Sequence, residues 1–254
     1  MSGGLLVPDW GGAAIPGVRA LVTTRASLQG ISAAPYACFN LGDHVGDDPA
    51  AVAANRAQLR KLLPGEPLWL NQVHGVSVVD ADSAPQGVSA DASHARGAGR
   101  VCAVLTADCL PLLLAAADGS VVAAAHAGWR GLADGVIEAT VAAMGLAGGD
   151  LLAWLGPAIG PGAFEVGDEV RAAFCRHDTG AALAFAPHGA QGSGKWLCDL
   201  YALARLRLAA LGVSRISGGE CCTFSDEPHF YSYRRDGVTG RMASLIWREV
   251  VRRT

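Results

Sequence analysis

The stretch RVCAVLTADCLPLLLAAADGSVVAAAHAGWRG, residues 100–131, decides how this chain folds. Arg100 to Leu105 is an unbroken apolar run of strand length, the pattern of a strand buried on both faces. Pro111 to Ala117 is a second such run. Asp118-Gly119 supplies a hairpin turn, and Val121 to Ala125 returns to end at His126. Gly128-Trp129-Arg130-Gly131 reads as a turn, and Leu132 to Met144 as an alanine-rich helix closed by Gly145. Cys109 stands just before one hairpin strand and His126 ends its partner. Antiparallel pairing therefore puts both at the same end of the ladder.

On the N-terminal side, residues 1–20 are a lead-in punctuated by Gly and Pro. Ala20 to Thr24 reads as a strand and Arg25 to Leu41 as a long loop. A helix is predicted from Pro49 to Leu63, started by Asp48 or Pro49 and stopped by Pro64-Gly65. Short strands over Pro67–Leu70 and Val76–Val79 bracket Gln72 and His74. On the C-terminal side, a strand over Leu151–Leu155 enters the rigid loop Gly156 to Pro161, and a helix follows from Gly167 to Cys175. Residues 176–198 read as irregular. A helix from Asp199 to Leu211 has an Asp cap and a closing Gly212. Ile216 starts a strand that runs into Cys221-Cys222-Thr223. Asp236-Gly237 marks a turn, and Met242 to Val250 a final helical stretch. Strands and helices alternate irregularly, with several hairpins and no internal repeat. This predicts an α/β chain of the α+β type, with mixed sheets in one domain over 1–254, rather than a doubly wound parallel fold.

Of 254 residues, 51% are hydrophobic and 17% charged, enough to bury a sizeable core without disulfides. A net charge of −3 argues against a non-specific nucleic-acid binder. The pair Arg234-Arg235 and the terminal Arg248, Arg252 and Arg253 are too short for a basic stripe, and the terminal arginines read as solvated surface. No basic segment followed by an apolar one trails Met1, and runs such as Leu112 to Ala117 fall far short of the ~20 residues that span a bilayer, so no membrane partner is expected. The seven cysteines are an odd number, and Cys102 and Cys175 lie in apolar patterns. A reducing, cytoplasmic compartment is expected.

Three residues carry the chemistry: His74 in Asn71-Gln72-Val73-His74-Gly75, Cys109 in Thr106-Ala107-Asp108-Cys109-Leu110-Pro111, and His126 in Ala125-His126-Ala127-Gly128. Two imidazoles and a thiolate suit one Zn2+, and three protein ligands leave its fourth position open for catalysis. Their spacing matches no zinc finger. Each alone has an ordinary explanation, a turn histidine or a small apolar cysteine. Cys109 with His126, and Asp108 beside them, also suits a thiol nucleophile, although a second histidine favours a metal. The same donors suit copper, but multicopper oxidation asks for more histidines than seven scattered ones. His44 sits in a turn, His94 in a polar stretch that looks exposed, and His177, His188 and His229 have no evident partner. Gly189 to Lys195 has the spacing of a phosphate loop, but Trp196 stands where a Ser or Thr must hold Mg²⁺, so it reads as a Gly/Ser loop.

At these motifs the chain resembles the laccase-domain family, described variously as multicopper polyphenol oxidases, zinc-containing purine nucleoside phosphorylases and peptidoglycan-editing factors. Further matching segments include Thr23-Thr24-Arg25, Asn40-Leu41-Gly42-Asp43-His44-Val45-Gly46-Asp47, Leu155-Gly156-Pro157-Ala158-Ile159, Phe164-Glu165-Val166, Tyr233-Arg234-Arg235-Asp236-Gly237 and Thr239-Gly240-Arg241. The resemblance implies a single-domain fold of layered mixed sheets flanked by helices. It implies metal ligation by His74, Cys109 and His126. It further implies phosphorolysis of adenosine, inosine and methylthioadenosine, with adenosine deamination in addition. The small-molecule partners are then a purine nucleoside and phosphate. Copper-dependent polyphenol oxidation and hydrolysis of a cell-wall precursor are the alternatives. Beside Cys109, Asp108 is the carboxylate expected to carry a proton in deamination. Arg25 and Arg130 are the expected phosphate ligands. Asn40, His44 and Gln72 are expected to bind ribose or base, and Cys222 is a further pocket candidate. The loop after Arg25 is about two residues longer than the family pattern, which makes the placement of Arg25 a point to examine.

Overall fold

Strands with an apolar residue at every position need cover on both faces, and two stacked sheets between helical layers supply it. The computed structural model describes residues 4–190 and 192–249. In chain order, β1 (Leu5–Leu6) and β2 (Val18–Thr23) precede α1 (Pro49–Arg60). Next come β3 (Pro67–Leu68), β4 (Val78–Asp80), β5 (Ala92–Ala95), β6 (Val101–Thr106), β7 (Leu110–Ala116) and β8 (Val122–Ala127). The helices α2 (Trp129–Asp134) and α3 (Val136–Met144) follow, then β9 (Leu151–Leu155), β10 (Glu165–Gly167) and α4 (Asp168–Cys175). The chain continues through β11 (Phe185–His188), β12 (Lys195–Cys198), α5 (Leu200–Ala210), β13 (Arg215–Gly218), α6 (Tyr233–Asp236) and β14 (Met242–Arg248).

The larger sheet has the order β13-β9-β7-β8-β5-β4, the second β1-β2-β14-β6-β3, and a small third sheet β10-β12-β11. Both large sheets are mixed: β13 runs parallel to β9, β4 to β5 and β3 to β6, and their other pairings are antiparallel. Side chains alternate faces along a strand, and the core follows that period. Leu113 and Ala115 of β7 meet Cys102 and Val104 of β6 and Ile246 of β14 between the two sheets. Leu112 and Leu114 face the other way, into a cluster with Ile137 of α3 and Leu203 of α5. On the outer face of the second sheet, Leu105 and Leu245 pack with Leu59 of α1 and with Phe39. The predicted fold, mixed sheets flanked by helices in one domain, is the observed one.

Local signals placed most of it. Asp48 accepts from the Ala50 N–H with Pro49 in the first turn of α1, and Asp199 accepts from the Ala202 N–H at the start of α5.

Several expectations need correction. The helix expected over Met242–Val250 is instead a strand over Met242–Arg248: β14 runs in the middle of the second sheet, between β2 and β6, and Val250 lies outside the described residues. The turn expected at 128–131 is already the start of α2, and the single helix expected to follow is broken at Gly135, whose φ is +104°. Residues 176–198 are not irregular throughout but contain β11 and β12, between which residues 189–194 form the connection, Gln191 lying outside the described residues. The strand from Ile216 ends at Gly218, before Cys221, and Asp236 ends α6 with Gly237 as its cap. His94 lies half-buried in β5, not in an exposed stretch. Met1 to Gly3, Arg252 and Arg253 lie outside the described residues. Among those described, no helix is long and apolar enough to cross a membrane.

Candidate metal centre

The β7–β8 ladder pairs Pro111 with His126 and Leu110 with Ala127, so Cys109, one residue before β7, meets the end of β8 as the hairpin register required. His74 arrives from the turn between β3 and β4. Its Nε2 lies 3.9 Å from Cys109 Sγ. The rings of His74 and His126 stand edge to face with centroids 4.7 Å apart. The three donor atoms all lie within 4.8 Å of one another. Tetrahedral bonds to zinc set such donors about 3.5 Å apart, so a small closure seats a cation. His126 is 3% exposed, whereas His74 is open to solvent, which leaves one side of the cluster accessible.

A carboxylate that the sequence did not single out holds this geometry. Asp91 is fully buried and its Oδ1 accepts from His126 Nδ1 at 2.8 Å. The same carboxylate accepts the backbone N–H groups of Val73, His74 and Gly75 at 3.2, 2.9 and 2.7 Å. One side chain thus orients His126, with Nε2 turned to the cluster, and fixes the loop that carries His74. Burial acts to raise the pKa of Asp91, but the hydrogen bonds from His126 and the Gly75 N–H hold it below the ordinary carboxylate value.

Burial also opposes charge on Cys109 and His126, yet each charge favours the other. The thiol is held down at about 6, first by the charge of His126 and then by hydrogen bonds from both histidines. His126 is raised to about 9 by the Cys109 charge and by the hydrogen bond to Asp91. The metal-free chain therefore favours a thiolate–imidazolium pair, and a cation bound here would take the place of the shared proton. Three donors, a carboxylate behind one of them and an open face fit a catalytic zinc site. Among the described residues three non-glycine positions have positive φ, and two of them are His74 (+60°) and Asp108 (+88°), both at this site.

Two cavities meet at the cluster, sharing His74, Ala107, Cys109 and Tyr233. The larger, about 390 Å³, is lined also by His44, Gln72, Leu105 and Arg241. The smaller, about 250 Å³, is lined by Trp129, Arg130, Ile159, Phe164, Leu200 and Arg234.

His44, Gln72 and Arg130 are therefore brought to the site. Gln72 is also pinned, its amide exchanging two hydrogen bonds with the Leu105 backbone at 2.8 and 2.7 Å. Arg130 lies 4.5 Å over the Trp129 ring. Asp108 borders the smaller cavity, but both its oxygens are engaged, accepting from Thr223 Oγ1 and the Arg234 N–H at 2.6 Å each. Arg25 and Asn40 need correction, since neither lines a cavity at the cluster. The Arg25 guanidinium donates to the carbonyls of Ala37 and Glu227 and lies over Tyr231, where it ties the long loop to the C-terminal segment. Asn40 is fully buried, donating to Asp47 and the Gly42 carbonyl while its oxygen accepts from the Gly42 and Arg241 N–H groups. Cys222 lies outside both cavities, accepting from the Gly160 N–H at 3.2 Å.

Residues 19–249 match the family described as multi-copper polyphenol oxidoreductase laccase. The chain belongs to that family. Within this laccase family it is 54% identical over 242 residues to a purine nucleoside phosphorylase of Pseudomonas aeruginosa, covering 95% of this chain and 97% of that one. It is 51% identical over 246 residues to the purine nucleoside phosphorylase YfiH of Escherichia coli, covering 96% and 98%. The crystal structure of Neisseria meningitidis protein NMB0706 superposes with a TM-score of 0.90 at 48% identity, covering 97% of this chain and 100% of that one. Although the laccase family is described as multi-copper, one group of three His, Cys or carboxylate donors converges among the described residues.

Proposed function

We propose that this chain is a zinc-dependent purine nucleoside phosphorylase that also deaminates adenosine. The observation that carries the proposal is the His74–Cys109–His126 cluster, open on one side and set where two cavities meet. Relatives that align over nearly the whole chain are named purine nucleoside phosphorylases, which supports the same activity here. Zinc, when bound, supplies a Lewis acid and lowers the pKa of a water in its open position.

The remaining chemistry belongs to the protein. Trp129, Phe164, Ile159 and Leu200 give the smaller cavity an apolar, aromatic lining suited to a purine. Phosphate oxygen attacks the anomeric carbon as the carbon–nitrogen bond breaks, and the bonding pair leaves on the purine. The products are ribose 1-phosphate and the free base. Arg130, which lines the same cavity, is assigned to the negative charge building on the base. Gln72 and His44 line the other side and are assigned contacts to ribose and phosphate. Adenosine deamination exchanges the C6 amino group, lost as ammonia, for the oxygen of water in the same space. Asp108 acts as a brace between Thr223 and Arg234, so its part in proton transfer is indirect. None of the seven cysteines is in a disulfide, which suits the expected reducing compartment.

Pure protein with inosine and phosphate tests the proposal. Ribose 1-phosphate and hypoxanthine are expected, lost on chelation and restored by zinc. A protein of full metal content that forms no ribose 1-phosphate contradicts it. Copper in place of zinc, with oxygen consumed in the presence of a diphenol, would support the polyphenol oxidation that the family description names.

A further inference from the structure

Nucleophile and leaving group lie on opposite sides of the carbon in a displacement. If the purine occupies the aromatic cavity, the phosphate approaches from the other one, across His74 and Cys109. That larger cavity contains one arginine, Arg241, which is neither of the two expected from sequence. Its Nη1 donates to the carbonyls of Thr239 and Gly240 at 3.0 Å each, and its backbone N–H donates to Asn40 at 2.8 Å. These bonds fix the guanidinium. Its Nε and Nη2 donate to no described residue and are not sealed from solvent, so an N–H fork stands free at the cavity. Among the described residues Arg241 forms no ion pair, in contrast to Arg56, Arg207 and Arg235.

Two neighbours complete a cradle. The cavity continues into a recess of about 440 Å³ that shares His44, Tyr233 and Arg241 and adds Thr239. Thr239 is 2% exposed, and its hydroxyl, which is sealed from solvent, has no hydrogen-bond partner among the described residues. His44 is close enough to Arg241 that, after burial, the arginine's charge is the next cause lowering its pKa. A held guanidinium fork without an ion pair, an exposed imidazole at its side and an orphaned hydroxyl suit a tetrahedral oxyanion.

We propose that Arg241, with His44 and Thr239, forms the binding site for inorganic phosphate. The identity of the anion as co-substrate rests on the phosphorylase reading. Arg25 is excluded by its bonds to Ala37 and Glu227, and Arg130 by its place beside Trp129 in the other cavity.

Calorimetric titration of the zinc-loaded protein with inorganic phosphate, paired with the KM for phosphate at saturating inosine, tests this. The wild type binds phosphate. Arg241→Gln weakens binding and raises the phosphate KM by about tenfold or more, Arg241→Lys does so less, and both leave the inosine KM unchanged. Thr239→Val weakens phosphate binding severalfold while the melting temperature holds or rises, because it removes an unpaired buried hydroxyl. Metal content stays constant throughout. Should Arg241→Gln fail to fold, Arg241→Lys and Thr239→Val carry the test. Unchanged phosphate binding in these variants overturns the proposal while leaving the phosphorylase reading intact. So does binding of adenosine 5′-phosphate by a protein that ignores inorganic phosphate. Phosphate binding that falls as described, in a protein that forms no ribose 1-phosphate, sinks the phosphorylase reading and leaves the site standing.

Discussion

At the scale of single residues, Asp91 couples two ligands that the sequence keeps far apart. It accepts from His126 and from the backbone at Val73, His74 and Gly75, so its loss affects both sides of the cluster. Asp91→Asn keeps one acceptor oxygen but sets an amide N–H₂ against backbone donors. Zinc affinity, measured by competition with a chelating dye, is expected to fall by roughly 10–100-fold. Asp91→Ala leaves buried donors with no acceptor and is expected to lose about 3 kcal/mol or more in urea unfolding. A variant with unchanged affinity would show that the second histidine needs no orienting group. The convergence of the candidate ligands was legible in the sequence, because residue type and the hairpin register pointed to Cys109 and His126. Asp91 was not, since one Asp between Ala90 and Ala92 looks like any loop carboxylate. Arg25 misled because an arginine after a strand looks free until its carbonyl partners are seen.

At the scale of elements, α2 sits so close to the His74 loop that only glycine fits at its start. A Cβ on Gly128 would lie 3.0 Å from Cys109 Sγ and 3.1 Å from His74 Cδ2. One on Gly131 would lie 2.7 Å from the Gly75 carbonyl oxygen. Gly128→Ala is expected to reduce zinc affinity with little loss of fold, because it pushes on the ligands rather than on the core. Gly131→Ala must move backbone and is expected to lower unfolding stability by about 1–3 kcal/mol. Metal titration and thermal melts of the two variants separate these effects, and identical behaviour in both would contradict the distinction. The Gly-Trp-Arg-Gly stretch was legible as a motif but not as a helix, since its glycines look like a turn until the close approach is known. β14 failed for the opposite reason. Ala243, Leu245 and Trp247 face the α1 side and Ile246 faces the other sheet, so burial on both faces erases the alternation that marks a strand.

For the whole molecule, burial between layers sets a pH limit. Cys102, between the two sheets, and Cys198, among the helices, are both pushed up to about 12 by burial. An unfolded thiol ionises near about 8.5, so folding favours the protonated form of each. That stabilisation is complete below the unfolded pKa and is lost as pH rises toward the folded one. Each cysteine then removes up to about 1.4 kcal/mol per pH unit. Urea unfolding under reducing conditions is expected to show stability falling between pH 9 and 11, and a flat profile there would contradict the burial account. The two-sheet sandwich was legible only as mixed sheets in one domain. Strand order depends on partners distant in sequence, such as β14 beside β2 and β6, and no local pattern announces them.

The central claim is that one metal ion is held by two imidazoles and one thiolate with a corner left open. An anomalous-difference map at the zinc edge, from crystals of protein purified without added metal, tests it most directly. The account predicts one strong peak within bonding distance of His74, Cys109 and His126, with a solvent or substrate atom as its fourth neighbour. No peak there, or a peak closed by a fourth protein side chain, would contradict it.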